Sequence, residues 1–563
     1  MSCSLSSRSQ GGGGTHGWWL RLGRAGAVIS LVLAAASATA GPVIEAPAGT
    51  VEGAALEGVS VYRGIPFAEA PVGNLRWKPP VGKARWDGVR DATRFGPICH
   101  QPEFPNVPAN IYYEHLPAMS EDCLSLSIWK PDGAQNLPVF VWIHGGSLLT
   151  GAGTFPMYDG ARLARQGMIV VAINYRLGAL GFMAHPELSA ESPENISGNY
   201  GLLDQIAALR WVERNIAAFG GDPDNVTIAG ESAGALSIMN LMTAPPAQGL
   251  FDKAIMQSAY MVSQPHLREA RHGHTSAESE GLRLADALGA ETLSELRAAS
   301  AAEITKRATA LGFRTWITVD DKIIPHQLPE SFDRGVQARV PILAGFNSGE
   351  IRSLRMLLPS PQPGRERYER EIRESYGELA DIYLKIYPAD TIEESLLQAV
   401  RDGLYGWTTQ RLAMSQTSLG APAWLYLFDH GYRAADRAGL HAFHGAELPY
   451  VFGTIGETGP NWPRIPDTQN ERALSDAMLG YWASFAKTGR PVAEGAPDWP
   501  HYSSEEPWMV FADTPRIAKD VLGLRYEINE AVVCRRRAAG DQQWNWNVSI
   551  AAPPLPPRVE PCR

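Results

Sequence analysis

Asn225-Val226-Thr227-Ile228-Ala229-Gly230-Glu231-Ser232-Ala233-Gly234, followed by the apolar run Ala235 to Met242, is the stretch that decides how this chain folds. Its first five residues favour a strand, and the run after Gly234 suits a helix. Between them lies a G-x-S-x-G pentapeptide, the pattern of a sharp strand-to-helix turn that lifts a serine Oγ clear of the backbone. The glycines leave room for a turn so tight that side chains would clash. Taken alone the pentapeptide also fits an ordinary Gly/Ser turn, since the chain holds 55 glycines among 563 residues. Its partners elsewhere in the chain decide between the two.

Working outward, the chain alternates strand-like and helix-like segments from about Gly41 to Phe511. Leu137 to Ile143 and Met168 to Tyr175 read as buried strands. Gly201 to Ala218 reads as a helix, with Leu202, Ile206 and Leu209 able to share a face. Ala254 to Gln257, Val340 to Phe346, Trp424 to Asp429 and Trp508 to Phe511 are further strand candidates, and Trp316 to Val319 is strand-like. Apolar strands separated by helices predict an α/β fold: a mostly parallel central sheet covered by helices on both faces. Two polar helical stretches, about Arg268 to Arg314 and Arg365 to Thr417, read as insertions over the carboxyl edge of the sheet, where ligands bind in such folds.

A serine hydroxyl is a weak nucleophile until a base takes its proton, and an acid must orient that base. In α/β hydrolases the chain order is Ser, Asp/Glu, His. Downstream of Ser232, Glu350 follows the strand Val340 to Phe346 through a short turn, with Asp320 and Asp321 as competitors. His444 follows the strand Trp424 to Asp429, with His430, His441 and His501 as rivals. Acyl transfer also needs preorganised N–H donors for the developing oxyanion. His144-Gly145-Gly146-Ser147, directly after the strand Leu137 to Ile143, stands in the HGGG-type position, and Ala233 follows the serine. Leu148, Leu149 and Trp407 are candidates for an apolar pocket, with core packing equally open. Arg352 and Arg355 are candidates for a substrate carboxylate, with a solvated helix face the plainer role.

The composition is that of a globular protein, 45% hydrophobic and 20% charged. Residues 1–40 contain Arg8, Arg21 and Arg24 and no acid; 50 basic residues less these 3 leave 47 against 60 acids, a net charge of −13. An acidic chain argues against nucleic acid or an anionic membrane surface as partner. A basic stretch ending at Arg24, the apolar run Ala25 to Ala36 and Ala38-Thr39-Ala40 predict a cleaved export signal rather than a membrane anchor, hence a secreted or periplasmic protein. Cys3 leaves with it, and Cys99, Cys123, Cys534 and Cys562 remain. Sequence allows three pairings, of which Cys99–Cys123 with Cys534–Cys562 is the simplest. No spacing suggests a metal or organic cofactor; His272 and His274 lie in a polar stretch and read as exposed.

With these segments in hand, the chain resembles the type-B carboxylesterase family, the α/β hydrolases that include cholinesterases and bile-salt lipases. The resemblance rests on Tyr62-Arg63-Gly64-Ile65-Pro66-Phe67-Ala68, Glu121-Asp122-Cys123-Leu124, Phe219-Gly220-Gly221-Asp222-Pro223, the Ser232 pentapeptide, Gly345-Phe346-Asn347-Ser348-Gly349-Glu350 and His444-Gly445 with Leu448-Pro449-Tyr450-Val451-Phe452-Gly453. It implies a serine esterase acting through Ser232, Glu350 and His444 by way of an acyl-enzyme. It also implies oxyanion donors at Gly146, Ser147 and Ala233, and a Cys99–Cys123 disulfide. Ser147 departs from the family's third glycine and is expected to narrow the pocket; Gly349 replaces its usual Asp. The expected organisation is an export signal (1–40), the hydrolase domain (41–534) and an irregular tail (535–563). Family members that serve only as adhesion or binding proteins typically lose a triad residue, whereas all three are present here; acyl transfer to an alcohol is the other alternative.

Overall fold

The computed structural model describes residues 41–103, 110–360, 362–560 and Cys562; the expected export signal, with Cys3, lies outside the described residues. Eleven strands form one sheet. Across it run Arg516–Lys519, Pro507–Phe511, Ala423–Phe428, Ile342–Asn347, Lys253–Gln257, Gly221–Glu231, Leu137–Ile143, Ile169–Ile173, Ser125–Pro131, Val59–Pro66 and Ala54–Leu56. The seven from Pro507–Phe511 to Ile169–Ile173 are parallel, and antiparallel strands extend both edges. The mostly parallel sheet is the expected one at its centre, where the predicted strands are placed within two residues apart from the elbow strand, which begins earlier, at Gly221.

Leu137–Ile143 shows why the central strands read as continuous apolar runs. Val139, Val141 and Ile143 point into one buried cluster, and Phe140 and Trp142 into another on the opposite face. Successive side chains of a strand leave opposite faces, so a sheet covered on both sides needs apolar residues at every position. The first face is covered by Tyr200–Asn215 and Ala233–Thr243, the second by Gln469–Thr488. All eleven residues of Ala233–Thr243 are buried, as expected of a helix apolar on all sides.

Two expectations are corrected. Trp316 to Val319 forms no strand, only a single bridge between Val319 and His266. The Asn199 side chain occupies both backbone groups of Thr318, donating to its carbonyl at 2.7 Å and accepting from its N–H at 2.8 Å, so Thr318 cannot pair with a second strand. His272 and His274 are buried, not exposed. His274 Nε2 lies 2.8 Å from the Ser263 carbonyl, and the His272 N–H donates to the Gly540 carbonyl. Chain from residue 540 packs against His272, a contact that local polarity does not reveal.

Both disulfides of the simplest pairing are present, Cys99–Cys123 and Cys534–Cys562. The helix Leu524–Ala539 runs through residue 535, so irregular chain begins only at Gly540, whose left-handed φ of 77° ends the helix.

Candidate active site

Every segment singled out for chemistry follows the carboxyl end of a central parallel strand, on one edge of the sheet. The strand Gly221–Glu231 ends at the elbow, and Ala233–Thr243 starts immediately after Ser232. Ser232 has φ 55° and ψ −120°, a conformation that non-glycine residues rarely adopt and that costs about 1–3 kcal/mol. The Ser232 N–H donates to the Gln257 carbonyl of the neighbouring strand at 2.9 Å, which holds the turn. A Cβ on Gly234 would stand 2.1 Å from the Ile143 carbonyl oxygen, and one on Gly230 2.7 Å from it. The pentapeptide glycines therefore let helix and strand pass close to the next strand.

Beside the elbow, Gly145 to Leu149 leaves the end of Leu137–Ile143. Gly146 has φ 100°, and a Cβ there would meet the Thr150 carbonyl oxygen at 2.1 Å. Ser147 and Leu148 both have φ 59°. The Ser147 side chain is exposed in the cavity rather than wedged into its wall. The N–H groups of Gly146 and Ser147 find no acceptor among the described residues. Ala233 is the first residue of its helix, where an N–H has no intrahelical partner and the helix dipole is positive. His144 anchors the loop from behind: its ring stacks on Tyr175 at 4.5 Å and its carbonyl accepts from the Tyr175 hydroxyl at 2.8 Å. Burial pushes the His144 imidazole down to about 4, which keeps it neutral.

Glu350 and His444 meet behind the serine. Glu350 is fully buried and accepts from the Ser258 hydroxyl at 2.6 Å and the Asn347 N–H at 2.8 Å. Its other oxygen lies 2.5 Å from His444 Nδ1. On the far side of the ring, His444 Nε2 stands 3.1 Å from Glu231 Oε1, and Ser232 makes no side-chain hydrogen bond among the described residues. The imidazole thus lies between two carboxylates, and the electrostatic pull of Glu231 explains why Nε2 faces it. Burial alone would lower the pKa of His444; Glu231 and Glu350 outweigh that and raise it to about 9. Burial likewise raises Glu231, to about 8, against the pull of His444. The two titrate as a pair, and the upward direction for His444 is secured by Glu350 on its other nitrogen.

A third buried carboxylate, Glu447, accepts from Gln257 Nε2 at 2.9 Å and from Asn347 Nδ2 at 2.6 Å. The Asn347 amide also donates to the Phe443 carbonyl at 2.8 Å, tying the acid strand to the histidine loop. Glu231, Glu447, Ser258 and Asn347 are the residues that motif reading passes over. Glu231 sits within the pentapeptide, and Glu447 three residues after His444, so an unexplained acid inside each motif was the available signal.

The rivals fall elsewhere. Asp320 is buried and accepts from three consecutive N–H groups, those of Lys322, Ile323 and Ile324, which shapes a turn, while Asp321 is exposed. His430 bridges Glu471 and Asp513, His441 sits between Asp429 and Asp436, and His501 lies edge-on to Trp424. Arg352 and Arg355 pair with Glu394 and Glu393. Trp407 is core, its indole N–H donating to Glu530; Leu148 is buried in the core at the cavity wall, and Leu149 lines the cavity half-buried.

Ser232 opens into a cavity of about 1500 Å³, larger than the 300–1,000 Å³ usual for ligand pockets. Tyr405 reaches it from a π-helical turn, Asp402–Gly406, in the second helical insertion; its ring lies 5.4 Å from that of His444. Such turns concentrate at functional sites. Among the described residues no group of three or more His, Cys, Asp or Glu is placed to hold a metal, and no helix is long and apolar enough to cross a membrane.

Sheet, elbow and helical cover define an α/β hydrolase. The chain belongs to the carboxylesterase family, whose sequence model matches residues 40–527, and it is a carboxylic ester hydrolase. It is 36% identical over 481 residues to a fumonisin B1 esterase from Sphingopyxis macrogoltabida, covering 82% of this chain and 85% of that one. It is 38% identical over 469 residues to a para-nitrobenzyl esterase from Bacillus subtilis, covering 81% and 92%. Among solved structures, a PNB esterase superimposes with a TM-score of 0.71 at 35% identity, covering 86% of this chain and 99% of the other. A carboxylesterase from Geobacillus stearothermophilus gives 0.69 at 34%, with the same coverage.

Proposed function

We propose that Ser232, His444 and Glu350 form the catalytic triad of this esterase. The observation that carries the reading is the placement of His444, held on Nδ1 by Glu350 at 2.5 Å and with Nε2 directed to the serine-bearing elbow. His444 Nε2 turns from Glu231 to the Ser232 hydroxyl and takes its proton as Oγ attacks the ester carbonyl carbon. The N–H groups of Gly146, Ser147 and Ala233 receive the oxyanion. The C–O bond to the alcohol then breaks, the alcohol leaves with the proton from His444, and an acyl-Ser232 ester remains. His444 next deprotonates a water, which attacks this ester; the acid is released and Ser232 recovers its proton. Glu350 stays ionised and stabilises the imidazolium formed in each half-reaction.

A screen of p-nitrophenyl esters with wild type and Ser232→Ala tests this. The variant is expected to lose about 10⁴-fold or more in kcat; equal cleavage by both proteins would overturn the assignment. We further infer that residues 1–40 direct export, 41–534 form the catalytic body, and the mature protein is secreted or periplasmic. The two disulfides support an oxidising compartment. N-terminal sequencing of exported protein should begin at Gly41; a mature chain retaining Arg24 would contradict this.

A further inference from the structure

The family match ends at residue 527, yet the chain continues to 563 and returns to the active-site cavity. After Gly540 it doubles back along the body, and Cys562 is bonded to Cys534 on the helix it came from. The returning segment is firmly seated. Trp544 is fully buried against Trp407, with ring centres 6.4 Å apart. The Asn545 amide donates to the Met261 carbonyl at 3.0 Å and the Gly403 carbonyl at 2.8 Å. The Ser549 N–H donates to the Tyr376 hydroxyl, and the Ala552 and Pro553 carbonyls accept from Ser375 and Arg536.

One side chain in this seated stretch is different. Trp546 is only half-buried and lines the same cavity as Ser232, edge-on to Trp316 at 5.5 Å and 88°. Trp316, also half-buried, lies just after the first helical insertion. Gln542, Gln543 and Asn547 line the cavity beside them. Two large indoles partly open to a cavity forgo the burial that anchors Trp544, and an apolar ligand placed against them recovers it.

Resting on the esterase reading above, we propose that the disulfide-closed tail forms a distal subsite of the substrate cavity. Its Trp546–Trp316 pair receives the far end of an elongated ester, an apolar arm extending from the carbonyl at Ser232. The tail is thereby a specificity-determining wall added outside the hydrolase body.

The test compares kcat/KM for p-nitrophenyl acetate and p-nitrophenyl dodecanoate in wild type, Trp546→Ala, Trp546→Phe and Cys534→Ser/Cys562→Ser. Trp546→Ala is expected to lower the dodecanoate-to-acetate ratio about tenfold, the scale of discrimination by an apolar pocket, mainly through KM. Trp546→Phe should recover most of the ratio, and the double serine variant should lower it like Trp546→Ala. A ratio within twofold of wild type in Trp546→Ala, or an equal fall for both esters, would make the tail a structural clamp and overturn the subsite. A rise in the ratio would make the tail a barrier and overturn it as well. Absence of cleavage of either ester by wild type would instead overturn the esterase reading beneath it. If the disulfide variant fails to fold, the Trp546 pair of variants still decides.

Discussion

Replacing Glu231 with Gln removes one of the two carboxylates flanking His444 while preserving side-chain shape. At 3.1 Å and an effective dielectric near 20, the bare attraction is about 5 kcal/mol. Burial of the same charges opposes much of it. The net result is the rise of His444 from 6.5 to about 9, in which Glu231, Glu350 and Glu447 all share. Glu231 is the largest of the charges that raise it, so its loss should lower the value by about one pH unit or more. In the proposed mechanism His444 acts as a neutral base, so kcat/KM should be low below its pKa and rise as pH rises through it. In the wild type the nearby Glu231 carboxylate favours the protonated form of His444. With Gln at 231, His444 has only Glu350 and the more distant Glu447 to hold it. The rising limb of kcat/KM for p-nitrophenyl acetate, recorded from pH 5 to 10 at constant ionic strength, should therefore move down by about one unit. A limb that stays in place or moves up would refute the claim that Glu231 holds the proton on His444.

Two further outcomes concern stability. Ser147→Gly relieves a left-handed residue, worth about 1–2 kcal/mol, against an unfolded-state entropy loss of about 0.4–1 kcal/mol; a net gain of about 0.5–1 kcal/mol is expected in urea unfolding, and a loss would show that the serine side chain supports the loop. His430 is raised above 6.5 because Glu471 and Asp513 outweigh the effect of its burial. The stability it adds is therefore complete below pH 6.5 and is lost as pH rises through its folded value. His430→Gln should cost about 1.5–3 kcal/mol at pH 6 and clearly less at pH 9; an equal cost at both would exclude a charge contribution.

The central sheet was legible because a strand buried on both faces must be apolar at every position, as Leu137–Ile143 is. Its antiparallel edge was not singled out: in Ser125–Pro131 the alternation Ser125, Leu126, Ser127 and Ile128 spans only four residues, the shortest run that carries a strand signal. Trp316 to Val319 misled for the opposite reason, since its β-forming residues lost their ladder to the Asn199 side chain. Within the site, Ser232, Glu350 and His444 were legible because each follows a strand end in an ordered motif. The partner of His444 Nε2 was not, because a distance of 3.1 Å between residues 213 positions apart has no local signature.

The sequence by itself determined the fold class, the elbow and its glycines, and the order of the candidate catalytic groups. These depend on local steric demands and on hydrophobic periodicity, both written along the chain. Only the tertiary structure decided which charges surround His444, which aromatics are core and which face the cavity, and that chain beyond residue 539 returns to the active site. Burial and Coulomb energies depend on separations in space, and the seating of Trp544 and Asn545 depends on surfaces contributed by Met261, Gly403 and Trp407. A tail of Pro, Trp and Arg with no period carries no sign of that destination until the body it packs against has formed.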